Sequence, residues 1–574
     1  MTSPAARPSQ PPFVLGSPLT IDAVVAVARH YRPVTPLPEP DPAQPDRVAS
    51  SAAWVASTLN HPTEGLAPAY YGINTGFGDN AGRAAFQSSE QAEHLSRNLL
   101  LSHCVGVGAH LPEDAVRAAL LIRAQSLAYG YSGVRRVVIN TLVAMLNARV
   151  YPAVPAQGSL GASGDLAPLA HLLIPLSAPL SAEDAAQPGA TGFCYVLLHS
   201  DAGVQRHLLT GAEAMALAEV KPVRLGAKEG VALINGTAVS TAIGALALFD
   251  AEQVYHWAQG SLALSLEALC GFRDAYLPQI NARRSPAQSR AAAEVLSLLD
   301  GSSLVRGGEA VDLPTADNPP QDPYSLRCAP AVMGAVRQTL DHVAAVLVTE
   351  LQAVTDNPLV FGDELPRQTK IVSGSNFHGE PVAFVMDFLA IAVAEIGSIA
   401  ERRIFQLTDP RLNRGLPAFL IDEPAETAGL NSGLMIAQYT AASLVSENKG
   451  LCHPASVDSI PSSANREDHV SMSSIAARKA AQVISNVRQV IALELLCAAQ
   501  ALDLRLEQRP AARPGTATGA LLNAIRGLAI APGVPLAVIR HDTPPGPYVA
   551  RLAAFIREGA LDEVLNETET SGVD

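Results

Sequence analysis

Aromatic residues make up only 5% of this 574-residue chain, and charged residues 16%. So few rings exclude a core built on Phe, Tyr and Trp. With 48% hydrophobic residues, the core must be Ala, Leu, Val and Ile, a composition that suits packed helices. Basic blocks are missing and the formal net charge is −14, which argues against a polyanion partner such as nucleic acid. The six cysteines (Cys104, Cys194, Cys270, Cys328, Cys452, Cys497) form no CxxC and no metal-type spacing. Neither a disulfide framework nor a metal site is expected from them, and a reducing cytoplasm fits. The N-terminal MTSPAARPSQPPFVLGSP has prolines where a secretion signal needs an apolar core. The most apolar helical stretch, Phe384 to Ala400, carries Asp387 and Glu395; it reads as a buried bundle helix, not a membrane span.

Residues 1–16, rich in Pro, Ser and Ala, read as a flexible arm. A mostly helical N-terminal part is expected over 17–236, a central long-helix bundle over 237–509 and a smaller helical part over 510–574. Apolar residues at i, i+3 and i+4 predict early helices at 19–28 (capped by Thr20), 47–59, 89–101 and 112–130. Longer ones follow at 237–270, 331–353, 381–407, 434–449 and 473–508, and a last one at 547–566. Several exceed the usual three to four turns, which suggests a bundle or an oligomer. Phe193 to Leu198 is β-prone and reads as a small hairpin excursion.

The chain is organised around Gly158 to His171, GSLGASGDLAPLAH. One reading is a turn entering a helix, with Asp165 near the N-terminus to cap it. A chemical reading also exists. The Gly164 nitrogen can attack the Ala162 carbonyl carbon and close a five-membered ring, because Gly permits the strained approach. Loss of water from the ring and of the Ser163 hydroxyl as a second water leaves 4-methylideneimidazole-5-one.

Five further segments accompany this one: Tyr71 to Gly78 (YGINTGFG), Asn235-Gly236-Thr237, Gln321 to Cys328 (QDPYSLRC), Asn376-Phe377-His378 and Ser446 to Lys449 (SENK). Together and in this order they resemble the aromatic amino acid ammonia-lyase family over roughly residues 20 to 510. The resemblance implies a mainly α fold, a long-helix bundle of the ammonia-lyase and fumarase-like type. It also implies a homotetramer whose pockets take residues from several subunits. The electrophile would come from Ala162-Ser163-Gly164, with no metal and no diffusible cofactor, and the partner would be a small-molecule amino acid substrate.

The same resemblance distributes roles over the remaining residues. Tyr71 would be the base that removes the β-proton. Arg327 would grip the substrate carboxylate bidentately, with Tyr324 supporting the electrophile and base network and Gln321 orienting substrate or ring. Asn235, otherwise a helix-capping residue, would contact the ring or the substrate carboxylate. Phe377 would wall the pocket, and His378 is open between a catalytic and a structural role. At the positions that read the side chain, Ser102-His103 and Glu447 follow the histidine-type pattern, as does the segment His453 to Met472. The expected reaction is elimination of ammonia from L-histidine to give urocanate. Asp79 to Arg83 and Gly379 depart from that pattern and bear on substrate identity. The alternatives are phenylalanine, tyrosine or ergothioneine as substrate, an aminomutase and, outside catalysis, an inactive helical scaffold.

Overall fold

The computed structural model describes residues 11–41, 43, 46–59, 69–82, 88–200, 203–308, 315, 319–362, 365, 370–424, 426, 429–559, 561 and 563–565. Residues 1–10 of the expected arm, Arg83 and the expected helix end at Asn566 lie outside them. The fold is mainly α, with small sheets of two or three strands. Two compact units form, each from three separated stretches. Unit 1 comprises 1–246, 344–387 and 454–478; unit 2 comprises 247–343, 388–453 and 479–574. The consecutive parts expected from the sequence are thus interleaved, since each unit draws on three separated stretches.

In unit 1 the helix Ile21–Arg29 begins where Thr20 Oγ1 accepts from the Ala23 N–H at 3.1 Å, satisfying one of the orphan donors of the first turn. Its buried Val24, Val25 and Ala28 pack toward the helix Glu113–Ala128. Phe13–Val14 pairs in parallel with Val34–Thr35, and Phe13 and Leu15 are buried. The end of the expected arm is therefore anchored, because two apolar side chains leave water there. The helix Arg136–Asn147 was not anticipated; its β-branched residues weaken the propensity signal, yet Val138, Ile139, Leu142 and Leu146 bury one face. The hairpin forms with Phe193↔Thr210 in register, and Tyr151–Pro152 adds a third strand. Thr210 then starts the next helix through a capping box with Glu213.

In unit 2 the core is Ala and Leu, as the composition required; Leu262, Leu264, Leu495, Leu496 and Ala498 are buried. An ion pair sits deep inside it. Glu494 accepts from Arg403 Nε at 2.5 Å, Ser261 Oγ at 2.7 Å and Ser265 Oγ at 3.0 Å. That number of donors is what a buried carboxylate needs. Among the described residues, two helices, Ala329–Leu351 and Glu380–Thr408, are long and apolar enough to cross a membrane by length and composition. In the second, 67% of the apolar window is buried, as in a core helix of a folded domain.

Candidate active site

The Ala162-Ser163-Gly164 turn lies in unit 1 and is held from three sides. Gly164 adopts φ +77°, a left-handed conformation that favours glycine. A Cβ on Gly164 would stand 2.1 Å from the Gly236 carbonyl oxygen. The close approach is a backbone clamp: Gly236 N–H donates to Ser163 O at 3.1 Å, and Asp165 N–H donates to Gly236 O at 2.7 Å. Behind the turn, Met472 N–H donates to Leu160 O at 2.8 Å and Ser471 Oγ donates to Gly161 O at 3.1 Å. Ala162 packs with Val470 and Met472.

Asp165 precedes the helix Leu166–Leu173 but does not cap it with its side chain, contrary to the expectation. Its Oδ2 accepts instead from Ser240 N at 2.7 Å and Ser240 Oγ at 2.9 Å, so it ties the turn to the helix Ala238–Ala268. Complete burial raises the Asp165 carboxyl to about 6, against the hydrogen bonds that pull it down.

Ser163 Oγ donates to Glu467 Oε1 at 2.9 Å. The other oxygen of Glu467 accepts from Ser462 Oγ at 2.9 Å. Glu467 was not singled out from the sequence, where Arg466-Glu467-Asp468 reads as a solvated run. The available signal was its place in a non-helical segment just before the buried Val470 to Ser474.

Tyr71 sits in a glycine-rich turn, as expected, and its hydroxyl oxygen accepts from Gly78 N–H at 3.3 Å. Burial raises its pKa, the Gly78 hydrogen bond lowers it and the Glu467 charge raises it further. Phe77 packs on Tyr71 at 5.9 Å and on His103 at 5.8 Å between ring centres. His103 ends the helix Ser89–His103, and its Nδ1 lies 3.1 Å from Ser102 Oγ. Burial lowers the His103 pKa, while a backbone hydrogen bond to Leu99 and the Glu467 charge raise it. One carboxylate thus acts on Ser163, Tyr71 and His103.

Asn235 closes the helix Glu229–Ile234 and is buried. Its Nδ2 donates to Asn357 O at 2.9 Å, while Oδ1 has no hydrogen-bond partner among the described residues. Phe377 is half-buried in the turn at 376–378. The remaining predicted residues belong to unit 2. Tyr324 opens the short helix Tyr324–Arg327 and is 69% exposed. Arg327 lies over its ring at 4.6 Å and donates from Nε to Asp322 O at 2.9 Å. Asp322 is fixed by Arg414 Nη2 at 2.6 Å. Gln321 is exposed, and Glu447 is exposed on the helix Met435–Leu451.

A family model described as aromatic amino acid lyase matches residues 19–527. A histidine ammonia-lyase of Symbiobacterium thermophilum is 47% identical over 549 residues, which cover 95% of this chain and 97% of that protein. Among solved structures, histidine ammonia-lyase from Trypanosoma cruzi superposes with a TM-score of 0.79 at 35% identity, over 97% of this chain and 95% of that one. Tyrosine aminomutase from Streptomyces globisporus gives a TM-score of 0.81 at 32% identity, over 97% and 98%.

Proposed function

The chain belongs to the aromatic amino acid lyase family and is a carbon–nitrogen lyase, and we propose that it eliminates ammonia from L-histidine to give urocanate. The observation that carries this reading is the clamped Ala162-Ser163-Gly164 turn with Glu467, Tyr71 and His103 around it. The turn fits a self-made ring: Gly164 is left-handed with no room for a Cβ, and the buried Asn235 Oδ1 awaits a partner. Cyclised with loss of two waters, Ala162-Ser163-Gly164 would supply the electrophilic methylidene carbon of 4-methylideneimidazole-5-one to the substrate amine.

The chain's own residues do the rest. Tyr71 takes the β-proton on its phenolate oxygen, which the Gly78 N–H holds in place. His103, kept toward neutral by burial, hydrogen-bonds the substrate imidazole. Glu467 accepts the imidazole N–H on the oxygen that Ser163 occupies here. Resemblance placed a carboxylate role on Glu447; in our reading Glu467 takes it, because Glu467 acts on Ser163, Tyr71 and His103. Phe377 walls the pocket, Arg327 binds the carboxylate, and Gln321 and Tyr324 orient substrate and ring. No diffusible cofactor enters this scheme.

We place the enzyme in the cytoplasm as a homotetramer with pockets shared between copies. The six free cysteines suit a reducing compartment. The exposed Phe388 (42%) and Ile391 (46%) in unit 2, on a groove with Val332, Val336 and His342, suit contact with another copy.

The test is a near-ultraviolet time course with L-histidine beside phenylalanine, tyrosine and ergothioneine. Urocanate from histidine alone is expected. Turnover of another substrate only would overturn the specificity and keep the chemistry.

A further inference from the structure

Three side chains of unit 1 that the proposed reaction leaves unused converge near the site. His378 lies in the turn after Phe377, Glu380 opens the helix Glu380–Thr408, and His469 follows Glu467 by two residues. His378 Nε2 and His469 Nδ1 face each other at 3.4 Å, with the rings stacked at 5.4 Å and 23°. One donor atom from each of the three residues lies within 4.8 Å of the others. Glu380 Oε2 is buried, has no hydrogen-bond partner among the described residues and stands 3.9 Å from the other ring nitrogen, His378 Nδ1, which accepts from the Glu380 N–H at 3.3 Å.

Ligands bonded at about 2.0–2.1 Å in tetrahedral geometry stand about 3.4 Å apart, which is the separation of the two imidazole nitrogens. Two imidazoles and one carboxylate are donors that suit zinc, cobalt or nickel. A proton shared between the two rings is the competing account, and it leaves the buried Glu380 oxygen unpartnered. We propose that His378, Glu380 and His469 form a site for a divalent transition-metal ion, with water completing its coordination. The ion would tie together two segments 91 residues apart, one carrying Phe377 and the other Glu467. Such a distance explains why no local spacing of ligands in the sequence announces it. The site does not depend on which amino acid is the substrate.

Full-length protein stripped with a chelator is titrated with Zn²⁺ against a chromogenic chelator, and separately with Co²⁺ while the visible spectrum is recorded. Wild type is expected to take up one equivalent per chain, with affinity at least tenfold above that of His469→Ala and of Glu380→Gln. His469 is exposed, so its replacement spares the fold. His207→Ala, on the exposed face of the hairpin, should keep wild-type uptake. Bound cobalt should lack the strong thiolate absorption of a cysteine site. No stoichiometric uptake by wild type, unchanged affinity in both site variants, or thiolate bands on cobalt would each overturn the proposal.

Discussion

Ser163 Oγ donates to Glu467 Oε1 across 2.9 Å, although 304 residues separate the two in sequence. Ser163 is the residue whose hydroxyl must leave if the turn is to become an electrophile. Ser163→Ala is expected to abolish the two-water mass deficit of the mature chain and to lower activity by roughly 10³-fold or more. Intact-mass measurement and the urocanate assay read the two effects separately, and wild-type turnover in this variant would sink the mechanism.

Gly164→Ala tests the clamp. Its Cβ would meet the Gly236 carbonyl at 2.1 Å, and φ +77° is strained for any side chain, at a cost of about 1–3 kcal/mol before the clash is counted. The turn must shift, so the expected protein has a lower denaturation midpoint and no near-ultraviolet absorbance from the ring. Gly236→Ala should behave alike, since its Cβ would meet Arg123 and Thr355 at 2.6 Å.

Glu467→Gln and Glu447→Gln separate the two carboxylates that are candidates for facing the imidazole. Loss of the Glu467 charge should reduce kcat/KM by about 10²–10⁴-fold, with Glu447→Gln much milder. The reverse order in steady-state kinetics would return the imidazole-facing role to Glu447.

The pH–rate profile reports on Tyr71. Its pKa is raised chiefly by burial and further by the Glu467 charge, and the base acts when deprotonated. Activity should therefore climb on the alkaline side, and Tyr71→Phe should remove that limb while keeping the mass deficit. Residual activity of Glu467→Gln should show the limb moved to lower pH. A limb that does not move would mean that the carboxylate does not act on the phenol.

Asp165 links the turn to stability. Its carboxyl is raised from 3.8 to about 6 in the folded chain, so between these values the native state binds more protons than the unfolded one. The contribution is fully present below about pH 4 and lost as pH rises through 6, a change of about 3 kcal/mol. Urea midpoints of wild type and Asp165→Asn, compared from pH 4 to 7, should diverge in that direction.

Much of this architecture was legible because long Ala- and Leu-rich helices carry their period openly. The helix Ser473–Gln508 was read with both ends correct. Arg136–Asn147 escapes the helical reading because Val and Ile at four of its positions resemble strand composition. At the site, Tyr71, Asn235 and the Ala-Ser-Gly turn stood in segments marked by glycine, whose conformational demands show in sequence. Glu467 did not, since its significance lies in what the chain brings to it from residues 71, 103 and 163. Asp165 showed the same limit: its position before a helix was clear, but Ser240, 75 residues away, takes its hydrogen bonds.

The last wall of the turn comes from the stretch 454–478, and this sets an order of events during synthesis. A ribosome adding about 5–20 residues per second leaves Ser163 without Glu467 and Ala162 without Met472 for about 15–60 s. Until then the clamp lacks its backing. Under the proposed chemistry, a turn that cyclises only against its complete wall would mature after Met472 has been made, so products truncated before that residue would lack the electrophile.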